Sequence, residues 1–141
     1  MTIIAKIFLI IGVSVLITGC KKTDQDKFDY VIQGNDLCAI KNEQIVKAKR
    51  MNWIYPEIKN LADTVISSDL NFDKDRDGFL ICTDINKLRE KIKNGAIRTS
   101  IGVEVEYGSY TKEYNLVNYS CISKDSFIFN ISKEEAFEKC K

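Results

Sequence analysis

Asp73-Lys74-Asp75-Arg76-Asp77-Gly78-Phe79-Leu80-Ile81-Cys82-Thr83-Asp84 is the stretch on which the reading of this chain turns. A twelve-residue calcium loop needs oxygen ligands at places 1, 3 and 5, a glycine at 6, a backbone carbonyl at 7 and a carboxylate at 12. Asp73, Asp75, Asp77, Gly78, Phe79 and Asp84 stand at those places. Leu80, eighth, is apolar, as suits a short β contact with a core. Ile81, ninth, leaves its ligand position to water. Three aspartates on one tight turn repel one another unless a cation offsets them, so calcium is the expected cofactor. The competing reading is an acidic, solvated turn. Asp84 is one methylene shorter than the usual glutamate, which points to looser ligation. The expected dissociation constant is on the order of 10⁻⁴ to 10⁻³ M, the range of extracellular modules, and the metal's role is structural.

Outward from the loop, the spacing predicts helices on both sides. Residues 37–51 favour helix, with Leu37, Ile40, Ile45, Ala48 and Trp53 as core contacts. Pro56 opens a second helix at the position proline tolerates best, with Ile58, Leu61, Ala62, Val65 and Ile66 as its apolar stripe. After the loop, Thr83 or Asp84 caps a helix carrying Ile85, Leu88 and Ile92, which Asn94-Gly95 ends. The period then changes. Ile101, Val103, Val105 and Tyr107 alternate with Gly102, Glu104 and Glu106, the mark of a half-buried strand. Further strands are expected over 114–122 and 127–131, and Ser132 with Glu135 forms a capping box for a short last helix. The expected fold is α+β: N-terminal helices flanking an EF-hand-like loop, then a three-stranded antiparallel meander and a C-terminal helix.

The N-terminus supplies an address. Lys6, an apolar run from Ile7 to Ile17 and small residues behind it form a secretory signal too short for an ordinary membrane span. The ending Leu16-Ile17-Thr18-Gly19-Cys20 resembles the lipobox of bacterial lipoproteins. That resemblance implies cleavage before Cys20, acyl chains such as palmitate on its sulfur, and attachment to a membrane in the cell envelope. Lys21 in place of aspartate favours the outer membrane where there are two. The chain divides into a signal peptide at 1–19, a polar tether at 20–29 and one domain at 30–141.

Four cysteines remain once Cys20 is lipidated: Cys38, Cys82, Cys121 and Cys140. An exported chain with an even number forms disulfides, here with three connectivities possible. Cys38 with Cys82 and Cys121 with Cys140 is the favoured set. A zinc site is disfavoured, since no Cys-x-x-Cys pair is present. The cysteine at 38, the helical spacer and the aspartate-rich loop closing on Cys82 resemble the excalibur calcium-binding module of bacterial extracellular proteins.

Composition narrows the function. With 21 Lys+Arg against 20 Asp+Glu, the net charge of +1 argues against nucleic acid as a partner. The chain has no histidine, which removes the commonest general base. Glu104 and Glu106 could be paired carboxylates but alternate on one strand face, where solvated side chains are the simpler reading. No enzymatic activity is expected. The leading expectation is a lipid-anchored binding module for an envelope protein or glycan, with Tyr107, Tyr110, Tyr114 and Tyr119 as candidate contacts. An immunity protein or inhibitor against a hydrolytic toxin, and a calcium-assisted envelope hydrolase, are the alternatives.

Overall fold

The computed structural model describes residues 26–68, 70–92, 94–123 and 125–140. Two sheets face one another. One holds β1 (Asp26–Lys27), β8 (Thr111–Ile122), β7 (Gly95–Glu106) and β4 (Arg50–Asn60) in that order, with β9 (Phe127–Ile131) sharing the edge of β8 that β1 occupies. The other runs β2 (Tyr30–Gln33), β3 (Asp36–Ile40), β6 (Phe79–Asp84) and β5 (Asp73–Arg76). Three short helices complete the described residues: α1 (Glu43–Val46), α2 (Ile85–Lys91) and α3 (Lys133–Lys139). The β1–β8 pair is parallel and every other ladder between named strands is antiparallel.

Alternation in β7 organises the larger sheet. Ile97, Thr99, Ile101, Val103 and Val105 are buried, while Arg98, Ser100, Gly102, Glu104 and Glu106 face outward. The register sets Val103 against Tyr114 and Ile101 against Leu116 on β8, and against Ile54 and Pro56 on β4. Val103, Ile101, Tyr114, Leu116 and Ile54 pack with Ile58, Leu37, Leu80 and Leu88 into one core. Each fully buried isoleucine or leucine contributes about 1.5 to 3 kcal/mol relative to exposure. Tyr30 crosses between the sheets, its hydroxyl donating to Thr99 Oγ1 at 2.9 Å. Burial raises its phenol pKa well above 10.0, the Thr99 bond only partly opposing this.

Asn130 also joins the sheets. In the left-handed region at φ 61°, it accepts from Tyr30 N–H through Oδ1 at 2.7 Å and donates from Nδ2 to Tyr30 O at 3.0 Å. A side-chain amide thereby stands in for a strand's peptide group. Asn118 Nδ2 donates to the same Oδ1 at 2.7 Å and to Phe28 O at 2.9 Å.

The architecture overturns the α+β expectation. Residues expected as helix over 37–51 form β3, α1 and the start of β4, and Pro56 lies inside β4 rather than at a helix start. Ile58 N–H donates outward to Ser67 Oγ at 3.0 Å, and Ile58 O accepts from Ile66 N–H at 2.9 Å. Two residues earlier, Pro56 therefore points its ring nitrogen to the open edge, where a missing N–H costs no ladder bond. The meander is also larger than expected, since β7, β8 and β9 belong to a five-stranded sheet. The caps are where expected: Asp84 accepts from Asn86 N–H and Lys87 N–H, and Ser132 from Glu135 N–H.

Both disulfides join the favoured partners. Cys38–Cys82 staples β3 to β6 across directly paired positions, and Cys121–Cys140 ties the end of α3 to β8. Among the described residues no helix is long and apolar enough to cross a membrane.

Candidate functional site

Asp73–Asp84 folds as a hairpin. Asp77 (φ 49°) and Gly78 (φ 87°) are both left-handed, the signature of a two-residue type I′ turn, and Arg76 pairs directly with Phe79. The chain itself supplies the cations that offset the acidic turn. Lys41 Nζ lies 2.7 Å from Asp75 Oδ1, and Arg76 bridges Asp73 and Asp36, each at 2.9 Å. The Asp36 bond, opposed by desolvation and helped by the charges of Asp36 and Asp73, holds the Arg76 guanidinium above its ordinary pKa. Phe79 sits in the ladder between Arg76 and Ile40. Asp84 caps α2 at the far end of β6, about 20 Å along the strand from the turn.

As folded here, Asp73, Asp75, Asp77 and Asp84 do not form one donor group. Among the described residues no group of three or more metal-ligating side chains gathers. Cys20, the signal peptide and most of the tether lie outside the described residues.

Three of the four candidate tyrosines come together where β7 turns into β8. Tyr107 and Tyr110 stack with centroids 5.3 Å apart, and Lys112 Nζ lies 4.9 Å from the Tyr114 ring centroid. Tyr107 hydroxyl donates to Gln44 O at 2.6 Å and lies 2.9 Å from the Tyr114 hydroxyl. Desolvation first, then the Tyr114 bond, pushes the Tyr107 pKa up to about 12. Tyr110 is 59% exposed, whereas Tyr114 is buried. Tyr119 lies apart, paired with Arg98 and Ile131 at the other end of β8. The two carboxylates considered for acid/base work are engaged: Asn52 Nδ2 donates to Glu104 at 2.9 Å, and Arg50 Nε lies 2.7 Å from Glu106.

The sequence reading missed a second surface, the outer face of the five-stranded sheet. Helix α3 and the Cys121–Cys140 bond cover one end of that face, burying Ala96, Cys121 and Ala136. The rest is open. Trp53 is 42% and Tyr55 66% exposed there. Tyr55 stands beside Gly102 and Glu57 beside Ser100, with Asn115 on the other flank of Gly102. Small residues on the central strand between taller neighbours leave a shallow trough of about 300 Å³, at the lower end for small-ligand clefts. The signal was the alternation of Trp53, Tyr55, Glu57 and Lys59 with Ile54, Pro56 and Ile58, which a helical reading hides.

No family model, curated protein or solved structure matches the chain, so its fold and surfaces rest on its own geometry.

Proposed function

We propose that this chain is a lipid-anchored protein of the cell envelope, held to a membrane through Cys20, whose folded domain binds another envelope component, protein or glycan. The observation that carries this reading is the open outer face of the five-stranded sheet, with Trp53 and Tyr55 exposed side by side on a rigid strand. Such aromatics are enriched where surfaces make contact, because they bury a large area at little entropic cost. The Tyr107–Tyr110 stack offers a separate protein-contact point and favours the inhibitor or immunity variant as the second reading.

The test uses the full chain, tagged and extracted from envelopes with detergent. Wild type should retain a stoichiometric protein or glycan that a Trp53→Ala, Tyr55→Ala variant loses, and labelled palmitate should enter wild type but not Cys20→Ala. A double variant that retains everything wild type retains would remove the face from the reading. Acyl labelling of Cys20→Ala would remove the anchor.

A further inference from the structure

The trough's chemistry narrows the ligand. Its floor is Ser100 and Gly102, and its walls are Tyr55, Glu57 and Lys59 on one side and Asn115 on the other. The indole of Trp53 lies beside Gly102, two residues along β4 from Tyr55. A Cβ built on Gly102 would meet Trp53 Cζ3 at 3.4 Å, so the ring lies across the glycine and any side chain larger than methyl would displace it. Covering a sheet glycine is a structural service in itself. It does not account for an indole 42% exposed beside a phenol 66% exposed, above a polar trough.

Charge decides among ligands. The ionised groups of the trough are matched internally: Lys59 Nζ lies 3.2 Å from Glu57, and Arg98, at the far end, 3.3 Å from Asp63. An anionic ligand would compete with those carboxylates for both cations. A purely apolar partner would desolvate ionised groups and the Asn115 amide without replacing their water. A neutral ring bearing many hydroxyls meets both demands. Its C–H face suits the electron-rich indole face, and its hydroxyls can both donate to Glu57 and accept from Lys59 and Asn115.

We infer that the trough binds a neutral oligosaccharide, one sugar ring stacked on Trp53 and its hydroxyls held by Glu57, Lys59 and Asn115. This rests on the binding-module reading and narrows its partner to a glycan. The trough runs over β4, β7 and β8, with its floor on β7 about two strand spacings, roughly 10 Å, from β1.

Trp53 is the chain's only tryptophan, so its emission reports on the trough alone. The purified protein is titrated with a panel of neutral gluco-, manno- and N-acetylglucosamine tetrasaccharides. At least one should give a saturable blue shift. Tyr55→Ala should weaken it at least about tenfold, Gly102→Val should abolish it, and Val46→Ala, exposed on α1, should leave it unchanged. Tyr55 is exposed, so its variant keeps the reading testable if Gly102→Val fails to fold. Raising the salt about tenfold should change affinity less than twofold, as befits a neutral ligand; a larger fall overturns neutrality. If no member of the panel moves the emission while the Trp53→Ala, Tyr55→Ala variant still loses an envelope protein, the glycan is overturned and the binding module stands. A face that instead self-associates, seen as a dimer lost in Tyr55→Ala, overturns the glycan as well. Loss of neither saccharide response nor capture in the variants overturns both readings.

Discussion

Asn130→Ala tests how the two sheets are held together. The substitution removes the acceptor for Tyr30 N–H at 2.7 Å, the donor to Tyr30 O at 3.0 Å, and one of the two acceptors of Asn118 Nδ2. Three hydrogen bonds at about 1 kcal/mol each give roughly 3 kcal/mol. Placing alanine at a φ of 61° adds about 1 kcal/mol, since a Cβ disfavours the left-handed region. The expected loss is therefore about 4 kcal/mol, read from the midpoint of urea unfolding at constant slope. Asn130→Asp keeps the acceptor oxygen and tolerates the backbone but turns a second acceptor oxygen toward Tyr30 O, so it should cost about 1 to 3 kcal/mol. At a few degrees per kcal/mol for a domain of this size, the alanine variant should melt more than about 10 °C below its parent. An alanine variant within about 0.5 kcal/mol of wild type would refute the idea that this amide couples the sheets.

Other outcomes follow from the remaining interactions. Replacing Cys121 and Cys140 by alanine opens a loop of 19 residues and should cost about 3 kcal/mol, with trypsin then cutting at Lys133 in a time course where wild type is resistant. The Cys38 and Cys82 pair closes a separation of 44 and should cost about 4 kcal/mol by the same denaturation measurement. Because the Tyr107 pKa rises from 10.0 to about 12 on folding, its contribution is complete below pH 10 and is lost as pH climbs through 12. Phenolate absorbance should accordingly show a late-titrating component that Tyr107→Phe removes. Calcium added in a calorimeter should give no heat beyond dilution if the hairpin is the resting state of Asp73–Asp84. One saturable site, lost in an Asp73→Ala, Asp75→Ala variant, would show that the stretch refolds around the ion.

What the sequence disclosed depended on how local the cause was. The caps at Asp84 and Ser132 and the alternation from Ile101 to Val105 arise within a few residues, and they are where the pattern placed them. The Asp-Gly pair at 77–78 admits two readings, since a calcium loop and a type I′ turn both want a small residue after an aspartate. In the folded chain Lys41, more than thirty positions away in sequence, and Arg76 pair with the aspartates of the turn. β4 was misread because Met51–Trp53 carries a register shift that breaks its alternation, and because proline suits a helix start and an open sheet edge equally. The trough could not be read at all from the chain in order. It exists only because the register lays Tyr55 and Glu57 beside Gly102 and Ser100, and no local rule specifies that pairing.

The ends of the chain close the structure. Phe28 is joined to Asn118 across 90 positions, and Tyr30 to Asn130 across 100. A polypeptide threaded through a membrane from its amino end would deliver β1 and β2 long before the strands that receive them. The five-stranded sheet must then wait, incomplete, until the last quarter of the chain arrives, and non-local closure of that kind is slow. Such a molecule stays pliable during passage and becomes rigid only on the far side.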